Sequence, residues 1–247
     1  MELNLLQPTD QRLAAVACFG AAAALCLAAR LWPGRWVRPA AILLGAFVPL
    51  SEAAWIASLV VQQRWTLAVG LPLQLCDAAT LLTAAALWTR RRWLVELLWF
   101  WACAGTVQAL ITPDVQDPFP TFAFLEYYAV HGGIVVSALL LVIGLKISPR
   151  PGAVRRSILI TLAYTACVGF ADFATGGDYM FLRQPPPAHT LFDLMGPWPW
   201  YLVGATALGV VLFLLLYAPF WWAHRRSQRR WDGESVGNME PSRITAQ

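Results

Sequence analysis

Residues 71–111 read LPLQLCDAATLLTAAALWTRRRWLVELLWFWACAGTVQALI, two apolar runs held apart by Arg90, Arg91 and Arg92. A helix of about 20 apolar residues covers the roughly 30 Å hydrocarbon core of a bilayer, so each run is long enough to cross one. The three arginines between them mark a short turn left on one side of the membrane.

The same pattern extends outward in both directions. Apolar windows fall near 12–31, 39–61, 66–88, 93–111, 127–147, 156–175 and 200–222, each of about the 20 residues a span needs. The chain is 58% hydrophobic and 13% charged, well below the roughly 25% charged residues of a soluble domain. The expected fold is all-α, a polytopic membrane helix bundle of about seven transmembrane helices.

Basic residues fix the expected orientation. Arg30, Arg35 and Arg38 follow the first span, Arg90 to Arg92 the third, and Lys146, Arg150, Arg155 and Arg156 the fifth. Arg225, Arg226, Arg229, Arg230 and Arg243 follow the last, leaving Arg12, Arg64 and Arg183 for the other side. Cytoplasmic loops carry the excess of Lys and Arg, which predicts an outside N-terminus and a cytoplasmic C-terminus. The net charge of +4 thus reflects topology, and no basic face with interleaved aromatics suggests a nucleic-acid partner.

The first apolar run begins near Arg12 without the basic start of a cleavable signal, so the first helix is expected to stay in the mature protein. Residues 1–222 are expected to form the transmembrane domain. After Trp222 the chain turns basic and then polar, which predicts a disordered cytoplasmic tail over 223–247. The run from Phe181 to Trp200, rich in proline and aromatics, suits either an interfacial anchor or a lid on the outer side.

Polar side chains inside a span cost roughly 2.5–3.5 kcal/mol each on insertion scales and are functional candidates for that reason. Glu52 lies on span two, Gln74, Cys76 and Asp77 on span three, Gln108 on span four, His131 on span five and Asp172 on span six. Their depth predicts one cavity opening outward. Pro72 removes a backbone hydrogen bond one turn before Cys76 and predicts a broken helix there. Glu96, at the start of span four beside Arg90 to Arg92, reads as a structural acid at a helix N-terminus.

Cys18, Cys26, Cys103 and Cys167 lack the paired spacing of a metal site or a disulfide framework and read as small core residues. Cys76 differs because a thiol activated by an imidazole such as that of His131 is a nucleophile for acyl transfer. A carboxylate, Asp77 or Asp172, is then expected to orient the imidazole. Plainer readings stand beside this one. The glutamines serve equally as interhelical hydrogen-bond donors, and the carboxylates suit proton or solute transport or the locking of a noncatalytic scaffold.

Five motifs carry a resemblance: LPLQLCD at Leu71 to Asp77, QALITPD at Gln108 to Asp114, HGG at His131 to Gly133, DYMFLRQPP at Asp178 to Pro186 and DLMGPWPWY at Asp193 to Tyr201. Together they resemble the bacterial YwaF-like integral membrane family. That family is in turn similar to a eukaryotic transmembrane acyltransferase that makes ether phospholipids with a membrane cysteine and a histidine. It is also similar to androgen-induced multipass hydrolases that use threonine and histidine. The resemblance implies a nucleophile at Cys76 and a histidine at His131, in a bacterial cytoplasmic membrane. Gln74 stands where the pattern often has histidine.

The expected activity is therefore that of a lipid acyltransferase or hydrolase. Cys76, His131, Asp77 and Asp172 are the expected catalytic group, and Glu52, Gln74, Gln108, Tyr179 and Arg183 the expected substrate-binding group. Membrane lipids are the expected partners and substrate, with no cofactor and no metal.

Overall fold

The computed structural model describes residues 9–115, 117–185 and 194–237, with side chains described as far as residue 226. These residues form seven helices and no strand. We label them α1 (Thr9–Leu31), α2 (Val37–Val61), α3 (Leu75–Thr89), α4 (Arg92–Ile111), α5 (Phe122–Gly144), α6 (Ala153–Thr175) and α7 (Trp200–Gly237). A short 3-10 turn, Tyr179–Phe181, lies between α6 and α7.

Six of the seven, all but α3, are long and apolar enough to cross a membrane. The helices alternate in direction. Tight connections containing the arginines gather at one end, and the described parts of the longer connections at 62–74, 112–121 and 176–199 gather at the other. Of that last connection, residues 186–193 lie outside the described residues. Helix α7 runs past the expected span end at 222 as far as Gly237.

Two helices form the centre. The most apolar windows of α4 and α5 are 61% and 67% buried, against 11–17% for α1, α2, α6 and α7. Leu98 and Phe100 on α4 and Ile134 and Leu140 on α5 are fully enclosed. Phe213 of α7 stacks on Phe100 with ring centres 4.8 Å apart, and Trp101 donates from Nε1 to Thr161 Oγ1 on α6 at 2.8 Å. Large apolar side chains such as Leu43, Leu50, Phe170 and Phe173 point outward, as lipid-facing surfaces do.

The glycines of HGG explain how α5 reaches its neighbours. A Cβ on Gly132 would meet Cys18 of α1, and one on Gly133 would meet Val48 of α2. Small residues let membrane helices approach closely, and here adjacent glycines serve two different partners.

Helix α3 departs from the expected span over 66–88. It begins only at Leu75 and has 15 residues, a length of about 22 Å against roughly 30 Å of hydrocarbon. The missing turns are a non-helical segment containing Gly70 and Pro72. Its backbone polar groups are met largely by side chains. Trp65 Nε1 donates to Gly70 O at 2.9 Å, and Tyr164 Oη donates to Leu73 O at 2.9 Å. Tyr179 Oη donates to Leu67 O at 2.9 Å and accepts the Leu71 amide at 3.0 Å. Irregular backbone at membrane depth is tolerated only where protein or a cavity satisfies it, and this segment meets that condition.

At the Arg-rich end Glu96 is structural as expected, but its partners differ. Its carboxylate, 2% exposed, accepts from Arg150 Nε at 2.7 Å and from Arg156 Nη2 at 2.8 Å. The Arg150 backbone amide adds a further bond at 3.1 Å. Glu96 therefore ties α4 to the connection after α5 and to α6, not to the neighbouring Arg90 to Arg92.

Candidate functional site

The first turn of α3 places Cys76. Gln74 is the N-cap in extended conformation, and its amide donates to Asp77 Oδ2 at 2.8 Å, half of a capping box. Cys76 is the second residue of the helix, where backbone amides have no acceptor of their own within the helix. Its Sγ lies 3.9 Å from Thr106 Oγ1.

Thr106 reaches the thiol because α4 changes its winding. Residues Trp101–Thr106 form a π turn, which rotates the residues beyond it relative to a regular helix. The Thr106 side chain is 1% exposed, so its hydroxyl is directed into protein.

His131, on α5, packs against the same region. Its Nδ1 lies 2.8 Å from Tyr127 O, and its ring stacks on the Tyr127 ring with centres 4.1 Å apart. A carbonyl only accepts, so Nδ1 carries the proton and Nε2 of the neutral ring keeps its lone pair. Tyr127 Oη in turn donates to Ala109 O of α4 at 2.9 Å.

Cys76 and His131 share surroundings. Asp114 is within electrostatic range of both, and Tyr127, stacked on His131, is within range of Cys76. Among the described residues no hydrogen bond joins the thiol to the imidazole; its neighbour in bonding range is Thr106. Glu52 of α2, Asp77 of α3 and Glu126 of α5 lie within electrostatic range of one another beside this pair.

The remaining expected residues fall into a second group at the end opposite the arginines. Asp172, 1% exposed, accepts the Tyr179 amide through Oδ1 at 2.8 Å, while its Oδ2 is buried without a partner among the described residues. Gln74 joins the two groups, its Oε1 accepting the Met180 amide at 2.7 Å. Met180 and Phe181 both have left-handed backbones, at φ 57° and 54°, which non-glycine residues adopt only under constraint. Burial raises the Tyr179 phenol above its ordinary value, so it stays protonated and both donates and accepts.

Arg183 donates from Nη1 to Gly177 O at 3.2 Å, and its amide donates to Asp178 Oδ1 at 2.8 Å. It lines a polar cavity of about 360 Å³ with Gly176, Gly177, Asp178 and Gln184. Gln108 stands on α4 two residues beyond Thr106, half-buried, its backbone carbonyl accepting from Thr112.

In this arrangement Asp77 caps α3 and Asp172 holds Tyr179, while the carbonyl of Tyr127 sets the imidazole. Sequence reasoning does not single out Thr106, Tyr127 or Glu126. Two of these carry a signal. Tyr127 precedes His131 by four residues, the spacing that puts side chains on one helix face, and Thr106 is a polar residue two before Gln108 in an apolar run. No group of three among the described histidines, cysteines and acids is arranged to hold a metal ion.

The family model described as TMEM164 family matches residues 7–217, which takes in α1 to α6 and the first half of α7. No curated protein and no solved structure matches the chain.

Proposed function

This chain belongs to the TMEM164 family, a family of membrane proteins, and from that premise we propose that it is a thiol-dependent lipid acyltransferase or hydrolase of the bacterial cytoplasmic membrane. The observation that carries the reading is the placement of Cys76. It sits in the first turn of a shortened helix, inside the membrane domain, after a non-helical segment, and like His131 it lies within electrostatic range of Asp114. The motif resemblance to the YwaF-like proteins and to a cysteine and histidine acyltransferase supports the same assignment.

In this proposal His131 Nε2 takes the proton from Cys76 Sγ once the two side chains meet. The thiolate then attacks the carbonyl carbon of a lipid ester. Charge developing on the carbonyl oxygen is met by the positive end of α3. The ester C–O bond breaks, the departing alcohol takes the proton from the imidazolium, and the acyl group remains on sulfur. The hydroxyl of a second lipid, or water, then gives its proton to the imidazole as its oxygen attacks the thioester carbon; the C–S bond breaks, the acyl group leaves as ester or acid, and the Cys76 thiolate takes the proton back from the imidazolium. Thr106 holds the thiol, and the Asp178 to Arg183 turn, with Arg183 in its polar cavity, offers a place for the headgroup.

The test compares whole-cell lipidomes of a deletion strain carrying wild type, Cys76→Ala or His131→Ala. Each variant is expected to fail to restore the acyl-chain distribution while keeping wild-type protein abundance. Full restoration by both would end the catalytic proposal.

A second reading is favoured by Glu52, Asp77 and Glu126, three carboxylates on three packed helices, which suit proton-coupled transport. It predicts that Glu52→Gln abolishes solute uptake into vesicles while Cys76→Ala does not. Under the acyltransferase reading Cys76→Ala and His131→Ala lose lipid remodelling, and there is no uptake for Glu52→Gln to abolish.

A further inference from the structure

At the Arg-rich end, away from Cys76, α6 and α7 leave an open groove of about 630 Å³, within the range of small-molecule sites. Its walls are apolar: Val154, Ile158 and Leu159 on one side, Leu214 and Ala218 on the other. Tyr217 and Trp221 supply aromatic surface. The helices beside it expose large apolar side chains, so the groove opens where lipid lies.

Its rim is cationic. Arg155 lines it, is exposed, and makes no ion pair with a described residue. Arg225 lies 4.0 Å above the Trp221 ring. The other two arginines at this end of α6, Arg150 and Arg156, are occupied by Glu96. No acidic residue lines the groove among the described residues. Basic pockets between membrane helices at the Arg-rich face are suited to anionic headgroups, and an aromatic belt alone would show no preference for charge.

We propose that this groove binds one anionic phospholipid of the adjacent leaflet, an acyl chain lying along Ile158, Leu214 and Ala218 and the phosphate taken by Arg155. This site is separate from the proposed acyl-transfer centre and stands or falls independently of it. It would anchor the Arg-rich half of α7, which meets the bundle through Phe213 and Phe220; the other end is already held by buried Tyr201.

The experiment uses the full-length protein, purified in detergent with equal phosphatidylglycerol and phosphatidylcholine and examined by native mass spectrometry. Wild type is expected to retain phosphatidylglycerol over phosphatidylcholine by about five-fold or more, the ratio that one arginine near an anionic headgroup supplies. Arg155→Gln, at an exposed position, is expected to bring the two lipids to parity. Ala218→Phe fills the groove without changing charge and is expected to lower retention of both. Equal retention by wild type, an undiminished preference in Arg155→Gln, or a dimer that excludes lipid would overturn the proposal.

Discussion

The hydroxyl of Tyr179 serves two backbone groups of a segment that has no helix to satisfy them, donating to Leu67 and accepting from Leu71. Replacing it with phenylalanine keeps the ring, which is 2% exposed, and removes the partner of both part-buried groups. A buried polar group left without its partner costs about 1–3 kcal/mol. Tyr179→Phe should lower the midpoint of thermal unfolding in detergent, with faster protease cleavage near Gly70 as a local signature; an unchanged cleavage pattern would refute the role. Single residues are legible in the sequence where their chemistry clashes with their surroundings. Cys76 and His131 stand out as reactive groups in apolar runs. Thr106 and Tyr127 do not, because threonine and tyrosine are ordinary in membrane helices and only the π turn and the stacking on His131 give them a place in the site. Gln74 is visible, but its bond to the Met180 amide depends on a turn more than a hundred residues away.

Among the elements, α3 is the hardest to read. Residues 66–74 are rich in leucine, alanine, valine and glycine, and an average over hydropathy extends the span across them. Apolar content permits burial but does not demand a helix, and Gly70 and Pro72 are the two residues that argue against one. The helix starts where Asp77 reaches back to the Gln74 amide. This makes the role of Asp77 separable by substitution. Asp77→Asn keeps an oxygen that accepts the amide, whereas Asp77→Ala removes it at a cost of about 1 kcal/mol, as is usual for a lost cap. If Asp77 is a cap, Asn should retain most of the wild-type melting temperature and of the proposed acyl-transfer activity, and Ala should lose the former first. Equal loss of activity in both, with stability intact, would assign the carboxylate to the chemistry instead.

For the molecule as a whole, the number of helices and the segregation of arginines are legible because both arise from local composition and the cost of charge in lipid, while the shortness of α3 is not. The order of packing is not, since nothing in the hydropathy of α4 and α5 distinguishes central helices from peripheral ones. Glu96 shows why. Near its position in sequence stand Arg90, Arg91 and Arg92, yet it binds Arg150 and Arg156, residues brought to it only by the folded bundle. The Glu96 side chain is 3% exposed while those of Arg150 and Arg156 are 43% and 38% exposed, so solvent screens part of the attraction. Hydrogen bonds to a charged group are still worth about 1.5–3 kcal/mol, and Glu96→Gln is expected to cost about 2 kcal/mol after that discount. Because one carboxylate serves both arginines, adding Arg150→Gln to Glu96→Gln should cost little more than Glu96→Gln alone. Additive losses in a double-mutant cycle would mean that Arg150 stabilises the bundle through some other contact, and the polar tie of Glu96 would then rest on Arg156 of α6.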